Sequence, residues 1–285
     1  MILLQVIVGG LLLGAIYALF SSGLTLIWGM MNFINFAHGE FVMLGMYVSL
    51  LVVLHLGGGP IGFGAAAALA LFLLGVAIYA ALIRHVLRGP MLAQILSTFG
   101  LALLLRYTAF FIFSANFVSL PQTSLSGTLD LGGIFLPVAQ LVAGAVAIAL
   151  TVALHLLLTR SAIGSWLLAV AEDRAAAMLM GIRPDRMQAL AWGLSAGAAG
   201  IAGALLATAY PWSPTVGETF SLIAFVTVAL GGFGSVLGSL YAGLIIGLIE
   251  AVSAYWLGAI YKDIVVYGLF VALLWFRPQG LMGKA

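Results

Sequence analysis

Runs of apolar residues at 2–29, 36–56, 61–83, 91–114, 134–158, 187–209, 217–235, 237–257 and 262–276 alternate with short polar or Gly/Pro-rich breaks. A helix needs about 20 mainly apolar residues to cross the hydrocarbon layer, and most of these runs are about that long; 217–235 and 262–276 fall short of it. The pattern predicts an all-α, polytopic integral membrane bundle of about 8–9 transmembrane segments, fewer if a segment near Asn32 or Gly231 turns back before crossing. One break is unlike the others. Leu168 to Gln188 holds six of the eighteen charged side chains, between runs that carry almost none, and predicts a polar helix-turn that a cytoplasmic partner could grip.

Charge placement sets the topology. Arg84 and Arg88 lie in one gap, Arg160, Arg174, Arg183 and Arg186 in another, and Arg277 with Lys284 at the end, so these three face the cytoplasm. The linker Ser114 to Gly133 has no Lys or Arg, and Tyr210 to Gly217 is uncharged and aromatic; both read as external. Alternation then places the N-terminus outside and the C-terminus inside. The opening run lacks a basic start and a small-residue cleavage site, which predicts a retained span.

Composition agrees: 64% hydrophobic and 6% charged, against roughly 45–50% and 25% in soluble domains, excludes water as the main solvent. Without cysteine there is no disulfide, thiolate metal site or thiol nucleophile. The four histidines are isolated, and no zinc-protease, nucleophile-elbow or nucleotide-binding signature occurs. No catalytic residue, metal or cofactor is expected, and an ATP-driven process needs its ATPase on another chain. The basic residues are too scattered for a nucleic-acid surface, which leaves membrane lipid as the partner that composition names.

Small residues suit helices that pack in lipid, where close backbone approach replaces the hydrophobic effect. Ser239, Gly243, Gly247 and Ala251 form one small face; Gly10 with Gly14, and Gly193 with Gly197, repeat the spacing. Packing is the expected role, with pathway lining the alternative. Gly231 to Gly238 differs, because so many glycines loosen a helix, which is tolerated at membrane depth only inside protein or beside water. It is a hinge or re-entrant candidate.

Met31 to Phe41 is the most polar stretch of the N-terminal third, with Asn35 a candidate N-cap for the following helix. One reading makes it a structural break whose Asn and His satisfy backbone groups; the other puts it on a translocation path, as with discontinuous transporter helices. The candidate pathway residues are Asn32, Asn35, His38, Gly39, Glu40, Gly231, Gly232 and Gly234. Arg106 and Glu250 lie inside apolar runs, about 22 and 17 Å from the cytoplasmic ends of their helices, and are the candidate intramembrane ion pair, with substrate contact the alternative. Glu40, a turn into its helix, is expected near the cytoplasm, facing Arg84 or Arg88. Glu172 to Met180 reads as a short helix with acidic residues at its start, stopped by Gly181 and followed by a restart after Pro184. The alternative is a solvated connector.

These residues together resemble the permease subunits of ABC importers for branched-chain amino acids, the LivH-type proteins. The resemblance is carried by Gly-Leu-Thr-Leu-Ile-Trp-Gly (23–29), Asn-Phe-Ala-His-Gly-Glu (35–40), Ala-Glu-Asp (171–173), Met-Gly-Ile (180–182), Gly-Gly-Phe-Gly-Ser-Val-Leu-Gly (231–238) and Arg-Pro-Gln-Gly-Leu (277–281). It implies a single permease domain over 1–285, in a bacterial cytoplasmic (inner) membrane. The implied partners are a second related permease, giving a heterodimer, two cytoplasmic ATP-binding subunits and a periplasmic or extracellular substrate-binding protein. Within the loop at about 160–186, Glu172, Asp173, Ala175, Ala176 and Gly181 would form the cytoplasmic coupling helix that docks on an ATPase. Related permeases serve urea, amides and other amino acids, so these stay open as cargo. A stand-alone secondary transporter and a membrane-bound enzyme are the competing classes, disfavoured by the scarcity of titratable midplane residues and of catalytic constellations.

Overall fold

The computed structural model describes residues 1–57, 59–121, 127–130, 135–277 and 279–283. Helices α1 (Ile2–Met31), α2 (His38–Leu56), α3 (Pro60–Val86) and α4 (Met91–Phe113) precede a small antiparallel pair, β1 (Thr128–Asp130) with β2 (Phe135–Pro137). Then follow α5 (Val138–Arg160), α6 (Ala162–Glu172), α7 (Arg174–Leu179), α8 (Pro184–Ala207), α9 (Val216–Gly231), α10 (Val236–Leu257) and α11 (Lys262–Phe276). Seven of these helices, α1 to α5, α8 and α10, are long and apolar enough to cross a membrane. α9 and α11, with 16 and 15 residues, reach only about 24 and 22 Å, short of a ~30 Å hydrocarbon layer. The expected eight or nine spans thus become seven full-length helices and two shorter apolar ones.

The fold is helical as expected, with the strand pair a local exception inside the Ser114–Gly133 linker and the start of the next run. Residues 122–126 and 131–134 of that region, and Lys284 at the end, lie outside the described residues. α3 contains a π-helical turn at Tyr79–Ile83, where the Tyr79 hydroxyl donates to Gln188 Oε1 at 2.8 Å.

Close backbone contact holds the bundle together. Along the α1–α10 seam, a Cβ on Gly14 would stand 2.5 Å from the Gly243 carbonyl oxygen, and one on Gly10 would stand 2.6 Å from Ala251 Cβ. Thr25 and Ser239 share a 2.6 Å hydroxyl hydrogen bond across the same seam, a contact worth about 0.6–2 kcal/mol in lipid. Gly193 and Gly197 serve the α3–α8 contact, meeting Phe72 and Ala68. The three small-residue motifs therefore pack helices, as their spacing predicts.

α8 is the central helix, with 72% of its membrane window buried against 22% for α4 and α5 at the periphery. It is also the least apolar of the seven, at hydropathy 1.6, because small residues replace large ones where neighbours press in on most sides. Val118 and Trp212 exchange two backbone hydrogen bonds, at 2.8 and 2.9 Å, so the two segments without Lys or Arg that are expected on the external side meet.

Candidate functional site

α1 ends because Asn32 turns left-handed (φ 49°), a conformation asparagine tolerates better than most residues, while its N–H still bonds Trp28 O at 2.8 Å. The next residues do not stay at that level. Thr98 Oγ1 donates to Ile34 O at 3.2 Å, and the His38 ring Nε2 bonds the Phe20 carbonyl at 2.7 Å. Phe20 lies eleven positions before Met31, about 16 Å back along α1, so the break from Asn32 to Ala37 climbs into the bundle and α2 starts deep inside it. Asn35 Oδ1 accepts from Ala37 N at 3.1 Å; it supports this turn and does not cap α2, whose cap position is Ala37.

The depth of α2 changes the ion pairing. Arg106 Nε and Nη2 donate to Glu40 Oε1 at 3.0 and 2.6 Å, while Nη1 donates to Glu218 Oε2 at 2.9 Å. Glu250 instead pairs with Lys262 at the start of α11. The expected Arg106–Glu250 pair is therefore wrong, and so is Glu40 beside Arg84 or Arg88. Both errors have one cause: Glu40 is a turn into its helix, but that helix begins some 16 Å from the end of α1, by the spacing above. Gly39 N donates to Ser221 Oγ at 2.9 Å, and Ser221 Oγ donates to Phe36 O at 3.1 Å, which pins the break against α9. Gly217 sits directly against the Glu40 carboxylate, with no room for a side chain.

The second break spans Gly232 to Ser235, between α9 and α10. Gly232 (φ 97°) and Gly234 (φ 84°) take conformations that other residues rarely adopt. Leu281 N and Met282 N bond the carbonyls of Leu230 and Gly231, at 2.8 and 3.1 Å, so the C-terminal segment satisfies the last turn of α9. The two breaks approach each other: the Trp28 and Phe233 rings lie 4.5 Å apart, and a Cβ on Gly29 would stand 3.2 Å from Gly234 Cα. Between them opens a groove of about 950 Å³, lined among others by Asn32, Glu172, Phe233, Gly234 and Met282. The candidate pathway residues thus fall at two levels. Asn32 and Gly234 line the groove and Gly231 and Gly232 are buried next to it in sequence, whereas Asn35, His38, Gly39 and Glu40 are buried within the bundle, Glu40 against Arg106.

The polar segment is two helices where one was expected. Glu172 closes α6; Asp173 Oδ1 then accepts from Ala175 N and Ala176 N, at 2.8 and 3.0 Å, and starts α7. Gly181 (φ 79°) ends it. Ala177 anchors α7 on Leu26, Leu167 and Ala191, and Arg174 ties it to Asp185 at 2.7 Å, leaving Ala175 and Ala176 exposed. The most prominent side chains are Leu179 and Met180, 90% and 82% exposed. Sequence reasoning passed over Leu179, and also Glu218 and Lys262. A charge at the edge of a short apolar run was the available signal for Glu218 and Lys262.

Comparison with known proteins adds the relationship. The sequence matches the family described as branched-chain amino acid transport system / permease component over residues 6–274. It is 32% identical to the high-affinity branched-chain amino acid transport system permease protein BraD of Pseudomonas aeruginosa, over 99% of this chain and 96% of that one. The Escherichia coli permease LivH is likewise 32% identical, with the same coverage. The Escherichia coli permease LivM is 29% identical over 94% of this chain and 68% of its own length. No solved structure matches.

Proposed function

Because this chain belongs to the family of branched-chain amino acid transport permeases, we propose that it is one of two membrane subunits of an ATP-driven importer carrying leucine, isoleucine, valine or related amino acids into the cytoplasm. The second subunit would be a related permease, since both LivH and LivM resemble this chain. Two ATP-binding subunits would supply the energy from the side of α7, and an external binding protein would deliver cargo at the opposite end. The observation that supports this reading is the arrangement of the two helix breaks, which put His38 and Glu40 inside the bundle and Asn32 and Gly234 on a groove beside Glu172. Uptake by proteoliposomes holding both permeases and the ATPases, with binding protein outside and ATP inside, tests it. Uptake without ATP, or by this chain alone, would contradict it.

Within this reading α7 is the docking element, and its exposed apolar tip would enter an ATPase groove. Leu179→Asp and Met180→Asp should lower uptake and binding-protein-stimulated ATP hydrolysis together, by about 10-fold for a lost apolar anchor of roughly 1.5 kcal/mol. Bulky substitutions at exposed Ala175 or Ala176 should act in the same direction. Normal coupling in all four variants, at normal expression, would make the segment a mere connector.

The glycine break would be the moving part of the path. Gly232→Val and Gly234→Val place a branched side chain where φ is 97° and 84°, at a cost of about 1–2 kcal/mol each. Gly232 also packs against the backbone of Met282 and Gly283. Both variants should impair uptake while the complex still assembles and hydrolyses ATP at its basal rate. Wild-type uptake by both would remove the hinge from the mechanism.

A further inference from the structure

We infer that residues 279–283 are a latch on the α9–α10 break, which comes away from it when the path opens during a transport cycle. The inference rests on the importer reading and gives that path a moving part outside the break itself. Gly280, inside the Arg-Pro-Gln-Gly-Leu motif, is where the latch engages. It takes φ 75°, and a Cβ there would stand 2.5 Å from Ala229 O and 2.6 Å from Gly232 N. Only glycine lies so flat against the corner, because any side chain would meet backbone.

The contact is reciprocal. A Cβ on Gly232 would strike Gly283 N and stand 2.8 Å from Gly283 Cα, so the segment fills the space beside the corner. Leu281 N and Met282 N hold it there through the carbonyls of Leu230 and Gly231, at 2.8 and 3.1 Å. The corner can reorient only by rotation about residues such as Gly232 and Gly234, whose positive φ leaves glycine the freedom to do so. With the segment in place, rotation at Gly232 meets backbone on that side. A seated latch therefore fixes the corner.

The latch is weakly held. Gly280 is its one buried residue, Leu281 and Met282 are 42% and 47% exposed, and the segment carries no charged side chain. A long contact of 4.0 Å joins Met282 Sδ to Ser235 Oγ at the start of α10. An element with so few buried apolar contacts opens at low cost. The loss of its two hydrogen bonds shifts a two-state equilibrium on the order of 10-fold, which permits both release and return. Its position supplies the trigger. Gln279, Met282 and Gly283 line the same groove as Leu168 and Glu172 of α6, the helix that runs directly into α7. A displacement of α6 by an ATPase docked on α7 bears on the latch across that groove.

The absence of cysteine in this chain makes the test direct. Ser235→Cys and Met282→Cys are combined in the complete reconstituted importer, with companion subunits cleared of cysteine, and bridged by a short bis-methanethiosulfonate. The short bridge should lower leucine uptake at least about 10-fold, reductant should restore it, and a long polyether-bridged reagent should leave most of it. The rate of short bridging is the second readout. It should fall about 10-fold when ATP and vanadate arrest the ATPases in their engaged state. Full uptake with the short bridge in place, equal loss with both bridges, or a bridging rate indifferent to vanadate would each overturn the latch, as would failure of the pair to bridge at all. The bridging rate does not depend on cargo. A rate that falls under vanadate while the unbridged importer takes up no leucine would keep the latch and sink the amino-acid reading.

Discussion

Arg106→Ala should destabilise the permease on the order of 3–5 kcal/mol, because it strands the fully buried Glu40 carboxylate without its one cationic partner among the described residues. Two guanidinium hydrogen bonds to Glu40 disappear together, which leaves α2 and α4 joined by apolar contacts such as the Tyr47–Phe113 ring stack at 4.1 Å. The double variant Glu40→Gln with Arg106→Gln should recover much of the loss, since amides of similar shape can hydrogen-bond each other and leave no charge in the interior. Thermal unfolding of the purified protein in mild detergent measures both. An Arg106→Ala protein that melts like wild type, or a double variant no more stable than the single one, would mean that the pair does not hold the fold.

Gly10→Leu should separate α1 from α10, whereas Gly9→Leu, one position away, should be tolerated. The structure predicts the contrast sharply. A Cβ at Gly10 would stand 2.6 Å from Ala251 Cβ and 2.8 Å from the Gly247 carbonyl oxygen, while at Gly9 nothing lies within 4 Å. Overpacking a tight site costs about 1–3 kcal/mol, and here the obstacle includes backbone, which cannot swing aside. At Gly9 the larger side chain meets open space and gains helix propensity of at most about 1 kcal/mol. Melting temperature and recovery of folded protein distinguish the two, and similar behaviour of the pair would refute the seam.

Sequence reasoning reached the packing motifs because they are properties of a single helix. Ser239 to Ala251 declares a small face whatever it packs against, and the structure supplies α1 as its neighbour. The same reasoning failed for Glu40, although the residue itself was recognised. Its depth depends on where the preceding break runs, and the break is fixed by contacts with residues far away in sequence, Phe20 O for His38 and Ser221 for Gly39. Depth counted from the ends of apolar runs was sound for Arg106 but could not choose its partner. Glu218 was hidden by its position in the first turn of a helix too short to cross.

The order of residues alone carries the membrane setting, the helical class, the small-residue seams, the polar segment near 172–186 and, through its motifs, the family. Each of these follows from the identity of neighbouring residues and their spacing along one helix. It took the packed fold to show which charges meet, that Asn32–Ala37 turns back into the bundle, that Asp173 divides the polar segment, and that Leu281 and Met282 close the end of α9. These arise where orphaned backbone groups and charges must find partners inside lipid, and the partner that is near enough is set by the folding of the whole chain.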